Sequence, residues 1–107
     1  MATTLSDDLK RVSTLLEAIA ALIRSSGQLH WTRSFTTLEK QAEALSSREE
    51  ASHLASTILG MYGGMGSFND LVLFNGSVVD AEANRRLDRL RKELFEAARS
   101  ILVETRR

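Results

Sequence analysis

"DLVLFNGSVVD", residues 70–80, decides between two folds for this chain. Two short β-prone runs flank Asn75-Gly76. That is the strongest short-range hairpin signal, because a type I′ turn needs positive φ at both central residues. In this register Phe74 pairs with Ser77 and Val72 with Val79. Both faces of such a ribbon are apolar. An isolated hairpin is marginal in water, so this one must pack on the rest of the chain or add to a partner's sheet. The rival reading is an irregular loop with one helical turn, since "SFND", residues 67–70, also has the form of a helix cap.

The segments on either side read as helix. Leu9, Val12, Leu16, Ile19 and Ile23 recur at three and four residues, and Leu15 and Leu22 widen the stripe. The apolar arc is roughly 140°, broad enough to touch two neighbours. Ser6 is the expected N-cap, with Asp7 and Asp8 in the first turn and Gly27 as the stop. A second helix begins near Leu29 and carries Trp31, Phe35, Leu38, Ala42 and Leu45. Ser47 and Glu50 form a capping-box signature. It opens a third helix with Ala51, Leu54, Ala55, Ile58 and Tyr62 on one face. The last helix opens at Asp80, with Ala83, Leu87, Leu90, Leu94, Ala98 and Ile101 as its stripe. Trp31, Leu38, Leu54, Ile58, Leu87, Leu90 and Leu94 are expected to share one core.

The expected fold is therefore all-α, a four-helix up-down bundle forming one domain over residues 1–107. A Gly-rich loop and a short β-hairpin precede the last helix.

Composition narrows function more than it identifies it. The 14 basic and 14 acidic residues balance to +0, so the positive field expected of a nucleic-acid-binding protein is missing. The chain has no cysteine, which excludes disulfides and thiolate ligands. The longest apolar stretch, "LLEAIAALI" at residues 15–23, is far short of the ~20 residues a membrane span needs. No basic segment precedes an apolar run at the start, so a cytoplasmic location is expected.

"GMYGGMG", residues 60–66, places four glycines in seven residues. A phosphate-cradling loop needs a Lys after its last glycine, whereas Ser67 and Phe68 follow here. A dinucleotide loop needs a preceding strand, and here a helix precedes. Gly60, Gly63, Gly64 and Gly66 are instead expected to let the chain leave the third helix and pass close to other backbones. His53 lies opposite its helix's apolar stripe, and His30 is expected to cap or pack beside Trp31. No repeated metal-ligand spacing is present, so no metal and no cofactor are expected. No nucleophile elbow surrounds any serine. Asp70, beside Asn69 and near Tyr62, is the best polar constellation, and its ordinary role is to fix the loop by bonding freed amides. Arg85, Arg89, Lys92 and Arg99 line the outer face of the last helix, interrupted by acids, as a solvated face does.

"GGMGSFNDLVL", residues 63–73, resembles a marker of a family of small, uncharacterised bacterial helical proteins. The resemblance extends to the Trp31 region and the final Leu/Arg-rich helix. Small neutral bacterial proteins of this sort include immunity proteins, which neutralise a toxin by binding it, and the resemblance implies that role by type alone. The expected function is non-enzymatic binding of a protein partner, a bacterial toxin, with no nucleic acid and no membrane. The expected partner-binding residues are Met65, Phe68, Asn69 and Asp70, with Met65 and Phe68 as exposed loop-tip anchors and residues 71–74 holding the loop to the bundle. The alternative is a homodimeric structural or regulatory module, joined through the wide stripe of the first helix or the hairpin edge. A third reading is a small-molecule or catalytic site around Tyr62, Asn69 and Asp70.

Overall fold

The computed structural model describes residues 4–63 and 66–106, and for Leu29 the backbone alone. Four helices, α1 (Leu5–Ser25), α2 (Leu29–Glu43), α3 (Arg48–Gly60) and α4 (Ala81–Thr105), make an all-α bundle. Between α3 and α4 lie a 3-10 turn, Phe68–Asp70, and an antiparallel hairpin of β1 (Phe74–Asn75) and β2 (Val78–Val79). The hairpin reading therefore holds over the irregular loop, and of the rival only the helical turn is present, at Phe68–Asp70, without a side-chain cap from Ser67.

The wide stripe of α1 packs against two neighbours, α2 and α4, while α3 packs on α4. α2 and α3 touch each other much less than these pairs do. A single buried cluster draws on all four helices, on Phe68 and on Leu71 and Leu73. Leu38, Leu54, Ile58, Leu87, Leu90 and Leu94 belong to it, and Trp31 packs against it partly buried. Because Val12, Leu16, Ile19 and Ile23 are fully buried inside the bundle, the stripe of α1 is not a free surface for a second copy.

The caps show why the helices start where they do. Thr4, not Ser6, caps α1: its Oγ1 accepts the Asp7 N–H at 3.1 Å. Starting at Leu5 brings Asp8 under cover, where its carboxylate accepts the Ser100 hydroxyl of α4 at 2.7 Å. Ser47 caps α3 as expected by accepting the Glu50 N–H, but the Glu50 carboxylate turns to the Ser46 hydroxyl at 2.6 Å. Asp80 caps α4 through the Ala83 N–H at 3.0 Å. The chain leaves α1 through Gly27 at φ 71°.

Of the described glycines between α3 and the 3-10 turn, Gly60, Gly63 and Gly66, only Gly66 has positive φ (72°). Gly60 is the last helical residue, and a Cβ at Gly60 or Gly63 would meet nothing within 4 Å. The expected close approach of backbones is therefore corrected at Gly60, Gly63 and Gly66, and among the described residues of the corner Gly66 alone is left-handed. Gly64 lies outside the described residues.

The hairpin register also differs from expectation. Phe74 pairs with Val79 and Asn75 with Val78, so the two-residue loop is Gly76-Ser77. Gly76 has φ 67° and Ser77 is not positive, which excludes type I′ and suits type II′, with Gly at the first central position. The cause lies outside the turn. The Asp80 N–H donates to the Leu73 carbonyl at 3.0 Å. With residue 80 bonded to residue 73, the loop must close at 76–77.

No helix among the described residues is long and apolar enough to cross a membrane.

Candidate functional site

The corner after α3 is built around Phe68, which is 0% exposed. Its ring lies 4.9 Å from that of Phe35, 5.4 Å from Tyr62 and 5.6 Å from Trp31, centroid to centroid. These separations suit edge-on and tilted aromatic packing. The Phe68 side chain thus fills space among groups from α2 and from the chain just after α3. Phe68 is not the exposed loop-tip anchor expected from its glycine-rich surroundings. A ring this large gains more from the aromatic pocket than a loop tip could offer. Met65 lies outside the described residues.

Arg91 of α4 holds the corner from the other side. Its Nη1 donates to the carbonyls of Phe68, Asn69 and Leu71 at 2.8, 3.3 and 3.1 Å. Its guanidinium carbon stands 5.7 Å from the centre of the Phe68 ring, within cation–π range. Its Nη2 pairs with Asp88, one turn back on the same helix. Within the turn the Leu71 N–H donates to the Phe68 carbonyl at 3.3 Å, and Arg91 adds a second donor there and supplies one to the Asn69 and Leu71 carbonyls.

Tyr62, Asn69 and Asp70 do not converge on one site. The Tyr62 hydroxyl donates to the Arg91 carbonyl at 2.7 Å. The Asn69 amide donates to the Tyr62 carbonyl at 2.7 Å. The Asp70 carboxylate accepts the Gly66 N–H at 2.8 Å, so the acid fixes the turn by bonding a freed amide, as its loop position suggests. Tyr62 and Asn69 border one groove with Lys92 and Phe95, whereas Asp70 borders another with Trp31 and Phe74.

Burial pushes the Tyr62 hydroxyl well above the ordinary phenol range, and the Arg91 charge offsets part of that. The chain has one tyrosine, so an alkaline absorbance titration reads Tyr62 alone. In the folded protein it should stay protonated beyond about pH 10, the ordinary value. The unfolded chain loses that proton from about pH 10 while the folded chain keeps it. Stability is therefore intact below about pH 10 and falls as the pH rises above it. Ionisation near the ordinary value, in a sample still helical by circular dichroism, would contradict this burial.

The hairpin grows out of the same corner. Leu71 and Leu73 are buried, while Val72 and Phe74 alternate outward at 43% exposure each. Asn84 grips the Leu73 peptide: its Oδ1 accepts the Leu73 N–H and its Nδ2 donates to the Leu73 carbonyl, both at 2.8 Å. The same Nδ2 also donates to the Asp80 carbonyl at 2.7 Å. This side chain continues the ladder where the second strand has already turned into helix. Asn84→Ala should cost about 1 to 2 kcal/mol, since it leaves a partly buried N–H without its acceptor. Amide exchange should show the Leu73 N–H losing protection while the helical amides keep theirs. Unchanged protection at Leu73 would show that the clamp is dispensable.

Beyond this anchor the hairpin presents apolar side chains to solvent. Val79 is 53% and Val78 68% exposed. By the pleat, Val72, Phe74 and Val79 share one face of the ribbon, and Val78 projects from the opposite face near the tip. No residue from 71 to 79 carries a charge.

Sequence reasoning overlooked Arg91 and Asn84. Arg91 is four residues after Leu87 and three before Leu94, so it borders the apolar stripe rather than the solvated face. Asn84, a poor helix former, occupies the first turn of α4, where a side-chain amide can reach the incoming chain. Those positions were the available signals. His53 is exposed, and His30, also exposed, packs edge-on against Trp31 at 5.3 Å. Among the described residues, no group of three or more His, Cys, Asp or Glu could hold a metal ion.

Residues 24–80, just over half of the chain, match the family described as a domain of unknown function, DUF6966, and the chain belongs to that family. The match takes in Trp31, the glycine corner and the hairpin, and stops before α4, so it does not carry the expected resemblance into the last helix. No curated protein and no solved structure matches the chain.

Proposed function

We propose that this member of the DUF6966 family is a non-enzymatic protein-binding module and that its hairpin is the docking element. One observation carries the reading: Val72, Phe74, Val78 and Val79 are 43–68% exposed on an uncharged ribbon whose base is fixed to the bundle. Apolar side chains grouped on one exposed element favour association, since they lose unfavourable hydration when covered. The polar groups of Tyr62, Asn69 and Asp70 are engaged in holding the corner, which supports binding over catalysis there. The finer part of the proposal is the partner: a toxin, held inactive by direct contact with the hairpin. The likeness in type to immunity proteins is what supports that part.

A photo-reactive phenylalanine analogue at Val79, placed in the full chain in its native cells, tests the docking reading. A covalent adduct with one other protein is expected, and the same probe at Arg89 on α4 should give none. Equal adducts from both positions, or none from Val79, would end the proposal. The toxin reading has its own test. The adducted partner, expressed alone, should arrest growth, and co-expression of this chain should restore it.

A further inference from the structure

We propose that the outer edge of the hairpin, along Val72 and Phe74, takes up an extended segment of the partner as an added β-strand, with a basic side chain of that segment over Asp70. This deepens the docking reading above and rests on it.

The edge follows from the ladder. The Asp80 N–H bonds the Leu73 carbonyl, and the register then makes Asn75–Val78 the hydrogen-bonded pair and Phe74–Val79 the non-bonded pair. In a non-bonded pair the main-chain groups face away from the partner strand. The N–H and C=O of Phe74 therefore face the outer edge of β1, and those of Val72, two residues back, face the same way. None of these four groups has a partner among the described residues. The neighbouring Leu73 groups face inward and are taken by Asn84 and Asp80. The edge thus repeats every second residue, which is the spacing an incoming strand needs.

Exposed edges of this kind are normally blunted by a charge, a proline or a bulge. Val72 and Phe74 supply none of these, and the chain has no proline. Beside them is a groove of about 340 Å³, bordered by Val72, Phe74, Trp31, Gln28, Ser67 and Asp70. Trp31 and Phe74 offer it apolar contact. Ser67 also borders it, with its hydroxyl covered and without a hydrogen-bond partner among the described residues. Among the described residues Asp70 is the one charged residue bordering it.

That charge distinguishes the occupants. A second copy pairing edge to edge would bring its own residues 71–79, which hold no cation to meet Asp70. A foreign strand with alternating apolar residues and a Lys or Arg meets both the edge and the carboxylate.

The test uses the full chain, immobilised, and a displayed library of random nonapeptides. Enriched sequences should alternate apolar residues and carry a Lys or Arg. The best binder is then resynthesised and titrated by the emission of Trp31, the only tryptophan. N-methylation at alternate peptide residues should weaken binding tenfold or more, and at the intervening residues by less than about twofold, because only one set of N–H groups faces the edge. Asp70→Asn keeps an acceptor for Gly66 but removes the charge, and should weaken the basic peptide about threefold to tenfold. No enrichment over the unselected library, or N-methylation that acts equally at every position, would overturn strand addition. So would a concentration-dependent dimer that the peptide disrupts, since the edge would then belong to a second copy. Failure of strand addition with persistent cross-linking from Val79 overturns this inference alone. Loss of both removes the docking reading as well.

Discussion

Phe68→Ala is expected to lower the stability of the fold by about 3 to 5 kcal/mol, the range for truncating a buried aromatic residue. The ring is 0% exposed and packs against Trp31, Phe35, Tyr62 and the Arg91 guanidinium. A domain of this size has roughly 5 to 15 kcal/mol in total, so the melting temperature should fall by more than about 10 °C. Phe74→Ala is the internal control. The same side chain six residues later is 43% exposed, and its loss should cost less than about 1 kcal/mol. Denaturant titration of the two variants measures the contrast. Equal losses would mean that the corner is not packed as described. Partner binding should follow the opposite order, with Phe74→Ala weakening it and the folded fraction of Phe68→Ala retaining it.

The second large effect is at Arg91. Replacing it with Leu removes three hydrogen bonds to carbonyls, two of them partly buried, leaves the Phe68 carbonyl only the Leu71 N–H, and removes the cation over Phe68. Charge-assisted hydrogen bonds contribute more than neutral ones, and a loss of about 3 kcal/mol is expected. Asp88 also loses its partner, but its side chain is 66% exposed, so that part is small. Arg91→Lys should fall between, because a compact ammonium keeps the charge and cannot reproduce the guanidinium fork. Hydrogen exchange should locate the damage: the Asp70 and Leu71 amides of the 3-10 turn should open while α1 and α2 stay protected. Uniform loosening of all four helices would instead make Arg91 a general stabiliser rather than the holder of this corner.

The two phenylalanines show what separates sequence from structure here. Read along the chain, Phe68 follows a glycine cluster and looks like an exposed tip, while Phe74 ends an apolar run and looks like an anchor. The structure exchanges them. Left-handed Gly66, its N–H held by Asp70, precedes the turn that sets Phe68 inward among Trp31 and Phe35 of α2 and Tyr62 just after α3. Leu71 and Leu73 follow it into the core, and alternation then sets Val72 and Phe74 outside. Burial of an aromatic residue in a loop depends on the gap left by other elements, and no local pattern encodes that gap.

The helices were legible because their information is local. Apolar residues at three- and four-residue spacing define a face, and a hydroxyl or carboxylate three residues before a free N–H defines a start. Those signals placed α2, α3 and α4, the broad stripe of α1 and most of the shared core in the sequence alone. The expected cap of α1, Ser6, was wrong by two residues: Thr4 caps the helix, and Asp8 in its first turn bonds Ser100 of α4. The existence of a hairpin was likewise written in its Gly-containing turn, but its register was not. A two-residue shift keeps every side chain on its own face, so the apolar pattern could not choose between the registers. Asn84 and Asp80 chose, by gripping Leu73 from the start of α4. What only the tertiary structure decided was therefore which polar groups meet across distant segments, because such a bond depends on where the elements pack and leaves no periodic trace in the sequence.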